Sequence, residues 1–452
     1  MIDHSVFNNK KVVFHTLGCK LNFAETSAIG RQLADDGFVK ARPGEQADVC
    51  IVNTCSVTDV ADAKGRQAIK RLIRLYPNAI MVVTGCYAQL KPDEIASIEG
   101  VDLVLGSNEK FNMLDYLRSF DKTKKEFVHR SDILKIKEFK PSCSRGDRTR
   151  FFLKVQDGCN YYCTYCTIPM ARGHSRSGAV AETVQAARQA VAEGAKEIVL
   201  TGVNIGDFGR GNGESFFDLL RALDKIPEEV RFRISSIEPN LLTDEIIRYV
   251  ASSRRFMPHF HIPLQSGTNE ALQLMKRRYN RELFAEKIQT IKTVLPDAFI
   301  GVDVIVGIRG ETDELFRQSY QFIEGLDISQ LHVFTYSERS GTKMLEIDHA
   351  VPVAERKRRS EMLHQLSAKK TQAFYNSQTG KTVQVLWESR SRDEKMTGFS
   401  HNYVRVERSY DKNRINQVET VNLGGWNEEK SALISLFPPV ERSLPTNVVN
   451  LR

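Results

Sequence analysis

The chain has 452 residues, 41% hydrophobic and 27% charged, with 64 basic against 56 acidic side chains and a net charge of +8. This is an ordinary globular composition with room for about three domains, and no apolar run approaches the ~18 residues of a membrane-spanning helix. The mild basic excess suits an acidic partner such as RNA and a slightly basic enzyme equally well. The first residues, MIDHSVFNNKK, lack an apolar signal core. The eight cysteines therefore read as cytoplasmic, reduced and available for metal or catalysis.

Strands and helices alternate from the start. KVVFHTLGC, ADVCIVNTC, AIMVVTGC and VDLVLGS read as strands, and NFAETSAIGRQLADDG, VADAKGRQAIKRLIRLY, PDEIASI and KFNMLDYLRSF as helices. The alternation predicts a parallel sheet with right-handed crossovers. Cys19, Cys55 and Cys86 each fall at the carboxyl end of one of the first three strands. In an open parallel sheet those ends share one edge, where ligands bind. They also flank helix N-termini, whose dipoles favour thiolates. The pattern predicts a three-thiolate site with an open iron, with three unrelated buried thiols as the alternative. A nucleotide site is weaker, since G-x-G-x-x-G is absent after the first strand. Cys50 reads as a core thiol and Cys143 as a solvent thiol. Residues 120–149, rich in Lys, Arg and Asp, read as an interdomain connection.

A second strand–helix series begins at Thr149. Its first strand leads into DGCNYYCTYCTIPMARGHSRS, residues 157–177, where Cys159, Cys163 and Cys166 lie within eight residues and no other Cys or His stands close until His174. Structural zinc is closed by four ligands, whereas three thiolates suit a 4Fe–4S cluster with one open iron. A structural metal knuckle or three buried thiols are the alternatives. FFLKVQDGC, EIVLTGVNIG, RFRISSIEP, HFHIPLQSG, AFIGVDVIVGI and SQLHVFTYS make six strands with helices between, too few for a closed eightfold barrel. AERKRRSEMLHQLSAKKTQAFYNSQ reads as a basic helix over 354–378, either solvated or facing RNA. Short alternating strands then run from KTVQVLWES to SALISLF, predicting a small antiparallel barrel of OB-like size. Tyr403, Arg405 and Arg408 suit base stacking with phosphate contact, or the aromatics fill the barrel. The tail after Phe437 reads as loosely ordered.

The spacing of Cys159, Cys163 and Cys166 resembles the cluster loop of radical S-adenosylmethionine (SAM) enzymes. LGCKLN (17–22), VNTCSVT (52–58) and TGCYAQ (84–89), followed by that loop, resemble the methylthiotransferase family over nearly the whole chain. TGFSHNYVRVE resembles the TRAM domain. The resemblance implies an α/β fold in three parts: a Rossmann-like N-terminal sheet domain over 1–140, a radical SAM partial (βα)6 barrel over 149–375, and a TRAM RNA-binding barrel over 378–439. It implies two 4Fe–4S clusters, one on each cysteine triad, with SAM on the open iron of the second. Tyr165 would lie against the adenine. Gly202, Asn204, Ser235, Ser236, Gln265, Asp303 and Phe334, at the strand ends, would be further SAM contacts. The implied chemistry is reductive cleavage of SAM to a radical that takes hydrogen from an unactivated carbon, which no acid–base pair could deprotonate. The auxiliary cluster would then deliver a methylated sulfur.

Members of the family act on tRNA bearing isopentenyladenosine, on tRNA bearing threonylcarbamoyladenosine, or on an aspartate of a ribosomal protein. HTLGCKLN and DGCN most resemble the threonylcarbamoyladenosine group. That implies a transferase for carbon 2 of the modified adenine at position 37, in the anticodon stem-loop. Lys20, Arg172, Arg176 and Arg309 are then candidates to meet the carboxylate of its side group. A cytoplasmic enzyme is implied, with an electron donor such as flavodoxin or ferredoxin and no membrane partner. A non-catalytic Fe–S protein that binds RNA or senses redox state is the reading from another class. The chain departs from the family at Ile308-Arg309, where Phe-Pro is usual, and at Thr335, where Pro is usual. Both bear on loop geometry and neither on a cluster ligand.

Overall fold

The protein is described from a computed structural model, over residues 9–121, 127–146 and 148–436. It has two compact units, Met1–Thr371 and Gln372–Arg452. The first unit begins with strand β1 (Lys11–Thr16), helix α1 (Lys20–Asp35), β2 (Val39–Lys40), β3 (Val49–Thr54), α2 (Asp59–Leu75), β4 (Ile80–Gly85), α3 (Cys86–Leu90), α4 (Pro92–Ala96), β5 (Leu103–Leu105), α5 (Met113–Arg118) and β6 (Val128–His129). Its six strands form one parallel sheet in the order β2-β1-β3-β4-β5-β6. Strand β3, VCIVNT, is buried at every residue, as a strand covered on both faces must be. Helix α2 starts cleanly because the Thr58 side chain accepts from the Ala61 N–H, with Asp59 and Asp62 in the first turn, where the helix dipole favours them.

The segment expected to be a plain connection is divided between the two sheets it joins. Strand β6 extends the N-terminal sheet, and β7 (Ser142–Cys143) pairs antiparallel on the edge of the next one. Cys143, expected as a solvent thiol, is only 3% exposed because that pairing carries it into the core.

The series continues with β8 (Phe151–Lys154), β9 (Gln156–Asp157), α6 (Ile168–Arg172), β10 (Arg176–Ser177), α7 (Val180–Ala192), β11 (Glu197–Thr201), α8 (Phe216–Leu223), β12 (Arg231–Ile234), α9 (Asp244–Ser252), β13 (His259–Gln265), α10 (Asn269–Leu274), α11 (Arg281–Val294), β14 (Phe299–Val306), α12 (Asp313–Gly325) and β15 (Gln330–Thr335). Strands β8, β11 and β12 pair in parallel, as do β13, β14 and β15, and bridges at Phe232–Phe256 and Ser236–His261 join the two ladders. The result is the expected six-stranded partial barrel. Leu153, Leu200, Phe232, Phe260, Ile300 and Val302 face the outer helices in one core. The alternate residues face the other way, so Lys154, Glu197, Arg233, His261, Asp303 and His332 line the lumen.

Helix α1 closes that lumen. Phe23 and Ala24 pack on Phe152 and Val199 of the barrel strands. Removing apolar surface from water in this way is worth roughly 25 cal/mol per Å2. The last helix, α13 (Val353–Gln378), is not a solvated basic face throughout: Arg359, 2% exposed, donates to Glu311, Asp313 and Glu355. In the second unit, β16 (Thr382–Arg392), β17 (Lys395–Ser400), β18 (Arg405–Ser409), β19 (Val418–Trp426) and β20 (Leu433–Leu436) form a closed barrel in the order β16-β17-β18-β20-β19. Val385, Trp387, Met396, Val406, Val421 and Leu433 fill it. The tail after Phe437 lies outside the described residues.

Candidate active site

The three N-terminal cysteines meet at the carboxyl edge of the first sheet. Cys19 is the N-cap of α1, Cys55 follows β3, and Cys86 opens α3. Gly18 and Cys55 are so close that a Cβ on Gly18 would lie 2.6 Å from the Cys55 Cβ, and Gly18 holds φ +97°. Only glycine takes that conformation and leaves that space. Burial pushes the Cys55 thiol up to about 12, with the neighbouring Cys86 and Cys19 adding to the effect. Burial also raises Cys86, against the pull of Arg172 and Lys110. Thiols raised this way bind metal only as the proton leaves.

Beneath them lies a buried charge network. Glu25 of α1 accepts from Lys110 at 2.6 Å, Lys154 at 2.8 Å and Arg172 at 3.0 Å. Arg172 also donates to Asp157 at 3.0 Å and to Asn22 at 2.6 Å. Lys154 and Arg176 complete the pairing of Asp157, at 2.7 and 3.2 Å. Burial works against ionisation of Glu25, but Arg172, Lys110 and Lys154 hold its carboxyl well below the usual range. Asp157 is likewise depressed, against burial, by Lys154, Arg172 and Arg176. Four cations thus face two carboxylates, and the surplus positive charge lies against Cys86 and Cys19. A buried surplus of this kind calls for an anion. Thiolates carrying an iron–sulfur cluster would supply it, so the donor set fits that group.

The second triad lies on an excursion closed at its base by β9 pairing antiparallel with β10. Gly158 holds φ +68°, and a Cβ there would fall 2.0 Å from the His174 carbonyl oxygen, so the loop turns back only on glycine. Backbone donors are aimed at sulfur: Tyr161 N–H at Cys159 and Ile168 N–H at Cys166, both at 3.4 Å. Arg277, also buried, donates to the Cys163 sulfur at 3.0 Å and pairs with Glu238. Such donors stabilise charge on ligand sulfur. Burial lifts the thiols of Cys159 and Cys166 to about 12. His174 bonds to Asn160 and Tyr162 instead of joining the triad.

The expected SAM contacts other than Asp303 stand at strand ends or in the loops just after them. Gln156 accepts from the Val203 and Asn204 N–H groups at 2.9 and 2.7 Å and donates to the Gly158 carbonyl at 2.7 Å. It thereby ties the Gly202–Asn204 loop to the cluster loop. Ser235 Oγ and Gln265 Oε1 are buried with no hydrogen-bond partner among the described groups. Gln265 also holds φ +67° at a register shift in β13. Unsatisfied buried polar atoms and backbone strain collect where a ligand completes the structure, and these fit a polar cofactor such as SAM. Ser236 is half-buried and bridges to His261. Tyr165 packs with Ala271, Met275, Ile308, Tyr336 and Met344. Phe334 is 45% exposed at the end of β15. Asp303 stands three residues before the end of β14, bonded to His261 Nε2 at 2.7 Å.

Arg172, Arg176 and Arg309, offered for a substrate carboxylate, have their donors on the protein itself. Arg172 is 1% exposed within the charge network. Arg176 donates to the carbonyls of Glu138, Arg172 and His174. Arg309 donates to Glu338 at 3.1 Å and to the Ile347 carbonyl at 3.2 Å. That pairing, with Ile308 wholly buried, accommodates the departure from Phe-Pro. Thr335 ends β15 in register with Val306, so the strand runs where a proline would stop pairing. Lys20 acts electrostatically on the lumen groups His259, His332 and Asp303.

Residues 11–106 match the family model described as Uncharacterized protein family UPF0004, and residues 153–323 match that of the Radical SAM superfamily. The chain is 40% identical over 405 residues to the threonylcarbamoyladenosine tRNA methylthiotransferase MtaB of Bacillus subtilis (strain 168), covering 87% of this chain and 89% of that one. A protein of the same name from Aquifex aeolicus (strain VF5) is 36% identical over 400 residues, covering 88% and 96%. The chain belongs to the radical SAM methylthiotransferases. As a methylthiotransferase it is an enzyme whose cofactors are SAM and two 4Fe–4S clusters. The radical SAM methyltransferase TsrM from Kitasatospora setae, solved with tryptophan and a SAM analog, shares the fold at a TM-score of 0.55 and 13% identity, over 72% of this chain and 73% of that one. Among the described residues no helix of the methylthiotransferase is long and apolar enough to cross a membrane. The roles of Glu25, Arg277 and the lumen histidines escape sequence reading. Their partners lie 39 to 147 residues away, and only the odd glutamate on the apolar side of α1 hints at them.

Proposed function

We propose that the protein methylthiolates carbon 2 of N6-threonylcarbamoyladenosine at position 37 of tRNA, giving the 2-methylthio product. The observation that carries this reading is α1: its N-cap is Cys19, and its next turns close the barrel lumen beside which the second triad sits. The 40% identity to a threonylcarbamoyladenosine enzyme supports that branch of the family. Cys159, Cys163 and Cys166 hold one cluster and Cys19, Cys55 and Cys86 the other. When bound, these groups supply the electron that cleaves SAM and the sulfur that is transferred.

The chain's own residues do the rest. Ser235 and Gln265 offer their unpaired atoms to SAM, with Gly202, Asn204 and Ser236 beside them and Tyr165 and Phe334 as apolar walls. Asp303 borders this set from the lumen. Arg277 keeps a donor on the Cys163 sulfur. Glu25 and Arg172 lock α1 to the cluster loop, so the two triads keep a fixed separation. The target adenine must leave its stack to reach them, at a cost of a few kcal/mol.

Residues 1–140, 149–375 and 378–439 serve as sulfur-carrying, radical SAM and TRAM domains. The last grips the anticodon stem-loop, Tyr403 stacking near the exposed Arg405. A small one-electron protein such as flavodoxin or ferredoxin is the reductant. The test offers anticodon stem-loops carrying adenosine, isopentenyladenosine or threonylcarbamoyladenosine to the reconstituted enzyme with SAM and reductant. Methylthiolation of the last alone is expected, and preference for the isopentenyl form would move the enzyme to another branch.

A further inference from the structure

The segment that follows β15 touches both cysteine loops. On one side it carries Arg339, which is 4% exposed. Its Nη1 donates to Asp59 at 2.7 Å and to Asp62 at 2.9 Å, in the acidic first turn of α2. Its Nη2 donates to the Ser56 carbonyl at 3.1 Å and to Ser56 Oγ at 2.6 Å. Ser56 is the residue after Cys55, and its hydroxyl donates onward to Asp62 at 2.6 Å. Ser337 adds a second grip: its Oγ accepts from the Asp59 N–H at 3.1 Å and donates to the Asp59 carboxylate at 2.9 Å.

Further on, the same segment reaches the other loop. The Met344 N–H donates to the Thr164 carbonyl at 2.9 Å, and Thr164 is the residue after Cys163. The Met344 side chain is wholly buried in the cluster that holds Tyr165, the residue before Cys166. Thr342 fixes the turn between the two grips, since its N–H and hydroxyl both donate to the Arg339 carbonyl, at 3.2 and 2.6 Å. Residues 337–344 are thus a strap from the Cys55 loop to the Cys163–Cys166 loop. Glu25 and Arg172 tie the Cys19 end of α1 to the second loop by a separate route. A planar guanidinium can reach two carboxylates and a carbonyl at once, which a single ammonium cannot. A buried ion pair adds little net stability, because desolvation offsets its attraction. What this one fixes is place, and reacting groups misplaced by about 1 Å can lose about 100-fold in rate.

We propose that Arg339 is a positioning residue for sulfur transfer: through Ser56 it sets where Cys55 stands against the Cys163–Cys166 loop. SAM cleavage at one loop then stays matched to sulfur transfer at the other. The proposal rests on the methylthiotransferase chemistry and not on which adenosine is read.

The experiment compares full-length wild type with Arg339→Met, Arg339→Lys and Arg359→Met. Before loading with iron, each chain is pulsed with iodoacetamide and its cysteines are read by mass spectrometry. In Arg339→Met, Cys55 should label about tenfold faster relative to Cys86, the span of one lost charge-assisted hydrogen bond. Arg359→Met breaks a comparably buried fork on α13 and should leave that ratio alone. After reconstitution, each enzyme is given SAM, reductant and the stem-loop that the wild type accepts. Arg339→Met should form about 10- to 100-fold more 5′-deoxyadenosine per methylthio product, with the iron content unchanged. Arg359→Met should lower the thermal midpoint without raising that yield. Arg339→Lys keeps the charge and loses the fork, and it is the variant read if Met does not fold. It should hold the thermal midpoint near that of the wild type and still release excess 5′-deoxyadenosine. Unchanged labelling of Cys55, or a wild-type product ratio in Arg339→Met, overturns the proposal. So does an equal rise in Arg359→Met, or full coupling in Arg339→Lys, which would show that charge alone suffices. A wild type that accepts no stem-loop sinks the substrate reading, and the labelling of Cys55 then decides the strap.

Discussion

Arg172 holds together three elements through one guanidinium: α1 at Glu25 and Asn22, the cluster loop at Asp157, and its own helix α6. Removing one member of a buried pair leaves the other charged and dry, at about 3–5 kcal/mol. Arg172→Met should therefore lower the thermal midpoint of the first unit by several degrees, checked by differential scanning calorimetry on the anaerobic protein. The same network sets an acid limit. The folded-state pKa values of Glu25 and Asp157 are depressed. Their stabilisation is thus fully present above the unfolded carboxylate value of about 4 and is lost as pH falls toward the folded values. The urea midpoint of the cluster-free protein should owe no change to these groups from pH 7 to about 5 and fall below about 4. Glu25→Gln should start lower and fall less steeply. Cys50 and Cys143 are core thiols, so Ala at either should leave about eight irons per chain after reconstitution. Replacing Cys19, Cys55 and Cys86 together should leave about four and spare reductive SAM cleavage. Methylthiolation by that variant would refute the assignment.

At the scale of elements, α1 is the hinge between chemistry and fold. Ala24 is fully buried against Phe152 and Val199. Ala24→Phe should overpack that contact by about 1–3 kcal/mol, read as a lower denaturation midpoint with normal iron content at the second triad. The strands and most helices were legible because their period follows directly from burial on one or two faces. Cys19, Cys55 and Cys86 were legible for the same reason, since strand ends of a parallel sheet share an edge. The contacts of Glu25 were not. A glutamate in a helix is ordinarily a solvent residue, and nothing local announces Lys110 or Arg172. Cys143 was misplaced because a two-residue strand is too short to leave a periodic signature, and Arg359 because a run of basic residues does not show which one meets Glu311.

Over the whole molecule, the second unit is a closed barrel with its own core. Ending the chain at Thr371 should weaken tRNA binding and flatten its dependence on salt, by about 0.7–0.9 in slope for each phosphate that the barrel no longer neutralises. SAM cleavage should persist. Filter binding across a salt series checks this, and an unchanged slope would show that the barrel does not touch RNA.

The four cations around Glu25 and Asp157 bear on how the enzyme matures. With no anion at Cys19, Cys55 and Cys86, that interior carries uncompensated positive charge, and α1 has reason to lift from the barrel. Iron must also reach Cys86 and Cys55, which are buried once α1 is seated. Metallation and docking are therefore linked steps, with loading completing the fold. A chain made under iron starvation should be nicked by protease near α1 well before its loaded counterpart, and cells short of iron would clear this enzyme instead of storing it empty.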